Sequence, residues 1–166
     1  MKIVQKEDPV LRKKALEVSA SEFGSRELLS LIESMKEAVD KEQDGVALAA
    51  PQIGVSKRIF IVRYDRMESP SKEEAEVGVF INPEIIKSSR KKEVVDEGCL
   101  SVRGVYGKTV RFTRATVKAY DEHGTMFTRG GGGVLAQAFQ HEIDHLNGTL
   151  FIDHATDFID YPYEGV

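Results

Sequence analysis

The 166-residue chain has no tryptophan and one cysteine, Cys99. A lone cysteine excludes an intrachain disulfide, leaving the thiol as a small buried hydrophobe or as a ligand or nucleophile. Long apolar runs are missing too: none approaches the roughly 20 residues of a membrane span, so no contact with a bilayer interior is expected. Met1-Lys2-Ile3-Val4-Gln5-Lys6-Glu7-Asp8 lacks the apolar stretch of a secretory signal and meets acidic residues early, which points to a cytoplasmic protein. Nor is there a basic excess. A net charge of −4 and a pI near 5.6 argue against a DNA-binding protein, although four of the six residues 87–92 are Lys or Arg and form a local basic spot. Length and 41% hydrophobic content suit one core, so residues 1–166 are expected to form one domain.

The most informative stretch that is present is Gln140-His141-Glu142-Ile143-Asp144-His145-Leu146-Asn147-Gly148. On a helix, residues four apart lie one above the other, so His141 and His145 present their imidazoles to a common point. Two neutral imidazoles make half of a metal site, and Glu142 beside them suits proton transfer to and from a water, the arrangement of the HExxH pattern in metallohydrolases. The surrounding Val134, Leu135, Ala138, Phe139, Ile143 and Leu146 leave little polar surface and predict a buried helix. Ionisable groups in such a helix are costly unless paired or ligated.

The rest of the chain reads as mixed structure. Asp8-Pro9 opens a helical turn that packs Val10 and Leu11, and Leu28, Leu29, Leu31, Ile32, Met35, Ala38 and Val39 recur with helical spacing from Ser25 to about Glu42. Gly45–Gly54 is a run of small residues without clear period; Gln52 within it is either part of a tight connection or the polar tip of a substrate-facing rim. Strands are predicted over 58–62, 77–86 with a break at Asn82-Pro83, 109–112, 115–120 and 125–129, with an exposed loop over 65–76. His123 is read as a turn residue and His154 as a surface residue. Gly130–Gly133 is expected to be a flexible lead into the metal helix, and the tail after Asp153 shows no period. A hydrolytic site of the zinc type needs a third protein ligand and an open position. Cys99, in the glycine turn Glu97-Gly98-Cys99-Leu100-Ser101, is a suitable donor because coordination deprotonates a thiol.

Gly45–Gln52, Glu97–Ser101 and Gln140–Gly148 resemble the three signature motifs of the peptide deformylase family, in order and spacing, and the similarity runs from Asp8-Pro9 to Phe151-Ile152-Asp153. The resemblance implies an α+β fold with antiparallel β-sheets around a central metal-binding helix, to which the periodicity from Ser25 to about Glu42 adds an N-terminal amphipathic helix. It implies an enzyme that hydrolyses the N-formyl group from the initiator methionine of nascent peptides and releases formate. Cys99, His141 and His145 match the metal ligands, Glu142 the acid/base, and Gln52 with the Leu100 N–H the groups that hold the formyl oxygen. Gly45, Val46, Ala47 and Gly98 match the edges along which the peptide extends, and Val134, Gln137 and Ala138 the pocket for methionine. Ferrous iron is the implied ion, with zinc, nickel or cobalt able to replace it. The implied protein is a monomer that associates transiently with the ribosome, here without the basic C-terminal helix of some members.

Two departures carry expectations. Ala47 stands where a second glycine is usual, and its methyl should hinder binding if that position needs positive φ or close approach of the peptide. Gln137 is polar in an apolar pocket. A non-catalytic paralogue that binds formyl peptides is the alternative these residues suit, whereas a general HExxH peptidase would leave Cys99 and Gln52 without a role.

Overall fold

The structure, a computed structural model, describes residues 1–67 and 76–161, so most of the expected 65–76 loop lies outside the described residues. Its central layer is a five-stranded antiparallel sheet in the order β1 (Ala47–Ala49), β2 (Ile59–Arg63), β3 (Val77–Ser88), β6 (Arg114–Tyr120), β7 (Met126–Gly132). Strand β2 reads Ile-Phe-Ile-Val because both faces of this sheet are covered. Ile59 and Ile61 point to a core shared with helix α1 (Arg26–Asp40), which contributes Leu28, Ile32, Met35, Ala38 and Val39. Phe60 and Val62 point the other way, into a core shared with helix α2 (Gly133–Leu146). Phe60 stacks on Phe80 with centroids 4.6 Å apart, and Phe139 of α2 meets Phe80 edge-on at 5.3 Å. Each such fully buried aromatic or branched side chain contributes roughly 1.5–3 kcal/mol, which fixes α2 against the sheet.

A second antiparallel sheet, β4 (Lys92–Cys99), β5 (Val102–Phe112) and β8 (Thr156–Asp160), flanks α2. Several sequence expectations change here. The Gly45–Gly54 run is ordered as strand β1 and a 3-10 turn, Ala50–Ile53. Ala47 and Ala49 face α2, and their small side chains let the helix approach. Gly98 and Cys99 belong to strand β4 rather than to a glycine turn; the reversal falls on Leu100–Ser101, with a bulge between Glu97 and Cys99. Asn82-Pro83 does not end its strand. It makes a bulge with Asn82 at φ 49°, where the Asn82 side chain bonds both backbone groups of Val18 at 2.8 and 2.9 Å. The tail contains β8, which the sequence hides because its alternation is not amphipathic: all five residues are exposed.

Gly130–Gly133 is not a loose lead. Gly130, Gly131 and Gly132 pair with Thr116, Ala115 and Arg114 in the sheet. The glycines are needed for space, since a Cβ on Gly131 would lie 2.6 Å from Leu135. Gly133 then turns the chain into α2 at φ 56°, a left-handed conformation glycine adopts freely. At the other end Arg58 donates to the Leu146 carbonyl at 2.9 Å, and the chain leaves through Gly148 at φ 77°. α2 is therefore held at both ends and along one face.

Candidate active site

α2 carries His141 and His145 one turn apart, with ring centroids separated by 4.9 Å and Nε2 atoms by 3.2 Å. The β4–β5 reversal brings Cys99 to them: its Sγ lies 3.3 Å from His145 Nε2, and the ligand atoms of all three residues fall within 4.8 Å of one another. A cysteine that sequence alone leaves open as core or ligand is thus half-buried beside two imidazoles.

Glu97 organises this group from behind. Its carboxylate lies 3.2 Å from His141 Nδ1, accepts from Arg111 Nε and a terminal nitrogen at 3.0 and 2.6 Å, and accepts from Thr109 at 3.3 Å. Arg111 donates onward to Asp144 at 2.8 Å, and the exposed His154 stands 3.6 Å from the same carboxylate oxygen. Burial works against the charged Glu97, but hydrogen bonds from His141 and Arg111 outweigh it and hold the carboxyl down at about 2. Burial also opposes charging of His141, yet its contacts with Cys99 and Glu97 raise it well above an ordinary histidine. His145, buried and facing His141, is pushed well below one. Sequence reading missed Glu97 and Arg111 as site residues. Their pairing depends on the hairpin register and its bulge, although two buried polar residues at alternate positions, Thr109 and Arg111, are a signal of an inward polar partner.

Glu142 is almost fully buried, and its Oε2 has no hydrogen-bond partner among the described residues; His145 Nδ1 is similarly unpartnered. Burial raises the Glu142 carboxyl to about 7, the range in which one group can both accept and return a proton. Gln52 is not the exposed tip of a rim. It is buried, its Oε1 accepts the Ala49 N–H at 2.9 Å, and this fixes Nε2 toward Ser101 Oγ at 3.2 Å and Cys99 Sγ at 3.6 Å. Leu100 occupies the reversal, where its carbonyl accepts from Gln5 Nε2 at 3.0 Å.

A cavity of about 650 Å³ opens above these groups. One wall contains Gly45, Val46 and Ala47, the opposite wall Gly98, Cys99 and Leu100, and α2 supplies Val134, Gln137, Ala138, His141 and Glu142. Val134 is 41% exposed because it faces this opening, so α2 is not apolar and buried on every side. Ala47 is not at positive φ: the residue lies in β1, and Asn82 and Asp157 are the non-glycine residues at positive φ among those described. Gln137 lines the cavity with its amide turned toward β4, where it donates to the Asp96 carbonyl at 2.9 Å and to Glu97 at 3.4 Å. Tyr106 and Tyr161 meet edge-on at 5.7 Å at the cavity rim, a pair visible only once β8 is placed beside β5.

Fold and site together define an α+β scaffold with an HExxH helix, a cysteine from a β-hairpin and a peptide-sized opening. The family model of polypeptide deformylase matches residues 1–159, and the chain belongs to that family. It is 44% identical over 155 residues to peptide deformylase of Desulforudis audaxviator, covering 93% of this chain and 92% of that one. It is 48% identical over 146 residues to peptide deformylase of Halothermothrix orenii, covering 88% and 87%. Among solved structures, the Met-Ala-Ser-bound class I type b peptide deformylase from Acinetobacter baumannii superposes with a TM-score of 0.81 at 34% identity, over 92% of this chain and 96% of that one.

Proposed function

We propose that this chain is a metal-dependent amidohydrolase that removes the N-formyl group from the initiator methionine of newly synthesised polypeptides and releases formate. The observation that carries the reading is the convergence of Cys99, His141 and His145 beside the cavity and beside a buried Glu142 whose Oε2 has no partner among the described residues. Two imidazoles and a thiol suit ferrous iron or zinc, and nickel or cobalt can take the same donors; the family favours iron. The negative surroundings that raise His141 are the environment a cation requires. Such an ion supplies Lewis acidity and lowers the pKa of water.

The remaining chemistry belongs to the chain. Glu142 takes the proton of the attacking water and returns it to the leaving amine, and burial, which raises its carboxyl to about 7, suits it to both transfers. Gln52 Nε2–H, held by the bond from Ala49 to its own carbonyl, and the Leu100 N–H bind the formyl oxygen more strongly as it gains negative charge. The peptide lies extended between Gly45–Ala47 and Gly98, adding a strand through backbone bonds that demand little of sequence. Methionine enters beside Val134, Gln137 and Ala138. Met-Ala-Ser, bound to the Acinetobacter relative, begins with methionine as the product of this reaction does. The protein acts as a single-domain monomer in the cytoplasm, with transient ribosome association.

The test is formate release from formyl-Met-Ala-Ser by protein reconstituted anaerobically with ferrous iron, with zinc-loaded protein and Glu142→Ala in parallel. The iron form releases formate; Glu142→Ala loses at least about 100-fold in turnover while retaining metal. Formyl-peptide binding without formate release, with metal shown to be present, overturns the reading and leaves a binding paralogue.

A further inference from the structure

The wall of the cavity formed by residues 41–45 lies between the end of α1 and the start of β1, outside any helix or strand. Two arginines grip it from opposite sides. Arg66 donates to the carbonyls of Val39, Glu42 and Gly45 at 3.2, 2.8 and 2.7 Å, gathering the end of α1 and the segment after it onto one guanidinium. Arg103, on the opposite wall in β5, reaches across to the carboxylate of Glu42 and to that of Asp44 at 3.0 Å. The stem of the segment is also packed: a Cβ on Gly45 would lie 2.9 Å from Val39 and 3.3 Å from Leu100.

The geometry points to Arg103 as a positioning residue for peptide capture, its ion pairs with Glu42 and Asp44 tying the Glu42–Gly45 wall to β5 and fixing the width of the cavity mouth. This inference rests on the deformylase reading of the cavity. Arg66 alone cannot set that width, because its three acceptors all lie on the wall it holds. Arg103 joins the two walls between which the peptide must enter. Its side chain is 17% exposed and that of Glu42 26%, so this contact is shielded more than an ordinary surface pair, whereas Asp44 at 56% is open to salt. A lysine in place of Arg103 can satisfy one carboxylate as a point charge but cannot fork between two. Arg103 touches neither the three donor residues nor Glu142 in any of these contacts, so its loss acts on capture and leaves the chemical step.

The experiment compares wild type, Arg103→Met and Arg103→Lys in two assays. In the first, kcat and KM are measured for formyl-Met-Ala-Ser with iron-loaded enzyme. Arg103→Met raises KM about five- to tenfold with a much smaller change in kcat, and Arg103→Lys recovers part of the loss. Raising salt from about 0.05 M to about 0.5 M increases the wild-type KM and narrows the gap to the methionine variant. In the second assay, amide hydrogen exchange across residues 41–46 is followed in the same proteins. It is faster in Arg103→Met, with the α2 amides unchanged. An unchanged KM, a fall in kcat at constant KM, or unchanged exchange at 41–46 each overturns the proposal. If the wild type itself releases no formate, the activity reading fails, and the exchange assay still decides whether Arg103 holds the wall.

Discussion

Replacing Glu97 with glutamine tests whether the network behind His141 is structural, functional or both. The substitution keeps the shape and removes the charge that balances Arg111, whose side chain is only 7% exposed. Breaking a buried ion pair on one side costs about 3–5 kcal/mol, because the remaining charge is left in a poor environment. Arg111 retains Asp144 at 2.8 Å, which places the expected loss near the lower bound, about 3 kcal/mol. For a chain of this size each kcal/mol shifts the thermal midpoint by about 2–4 °C, so metal-free protein should melt about 6–12 °C lower. His141 also exchanges a charged acceptor at Nδ1 for a neutral amide, and loss of such a partner lowers metal affinity by about 10- to 100-fold. Thermal melts of the metal-free protein and competition with a chelator read the two effects separately. The double variant Glu97→Met with Arg111→Met separates them further: apolar residues in place of both charges should restore most of the stability, while metal affinity stays low. A midpoint within about 2 °C of wild type together with unchanged metal affinity would refute the reasoning, since both consequences follow from the same buried carboxylate.

Gln52→Leu removes the donor proposed to hold the formyl oxygen and should lower kcat by about 100- to 1,000-fold in steady-state assays. It also strands the Ala49 N–H, so a melt should show a loss of about 1–3 kcal/mol in the same variant. Gly148→Ala should destabilise by about 2 kcal/mol or more, read by denaturant titration, because the residue sits at φ 77° and its Cβ would fall 2.6 Å from the Arg12 carbonyl oxygen. The hydrogen bond from Lys57, with that from the Ser19 N–H, holds the Glu22 carboxyl down at about 2, below its value in an unfolded chain. That stability is present above the unfolded pKa near 4.5 and is lost as the pH falls toward 2. Since Glu22 is one-third exposed, it amounts to less than about 1 kcal/mol; Glu22→Gln should melt slightly lower at pH 7 and match wild type at about pH 2.

The donor set was legible in sequence wherever local periodicity settles geometry. His141, Glu142 and His145 needed only the repeat of one helix, and Ile59–Val62 only the pattern of a strand covered on both faces. What stayed hidden depends on partners distant in the chain. Glu97 and Arg111 meet only because a bulge before Cys99 sets the register of the β4–β5 hairpin, and β8 exists because β5 offers an edge, not because Thr156–Asp160 has a buried face. Glycine was the most misleading signal. Gly130–Gly132 suggested mobility where the sheet instead needs the missing side chains, so that Leu135 can lie over the strand that leads into its own helix.

The two departures show why a residue type is not a role until its neighbours are known. At Ala47 the concern was a methyl group in the path of the peptide, but the side chain points into the core shared with α2, on the same side of the strand as Ala49. The strand is extended with or without the methyl. At Gln137 the concern was a polar group in an apolar pocket. Its amide is occupied by the Asp96 carbonyl, which ties α2 to β4 one turn before His141. The polarity is therefore spent on holding the helix that carries the histidines against the strand that carries Cys99. A hydrophobic residue there would add apolar surface to the cavity but release that tie, so the glutamine gives up apolar lining for a fixed distance between the two halves of the donor set.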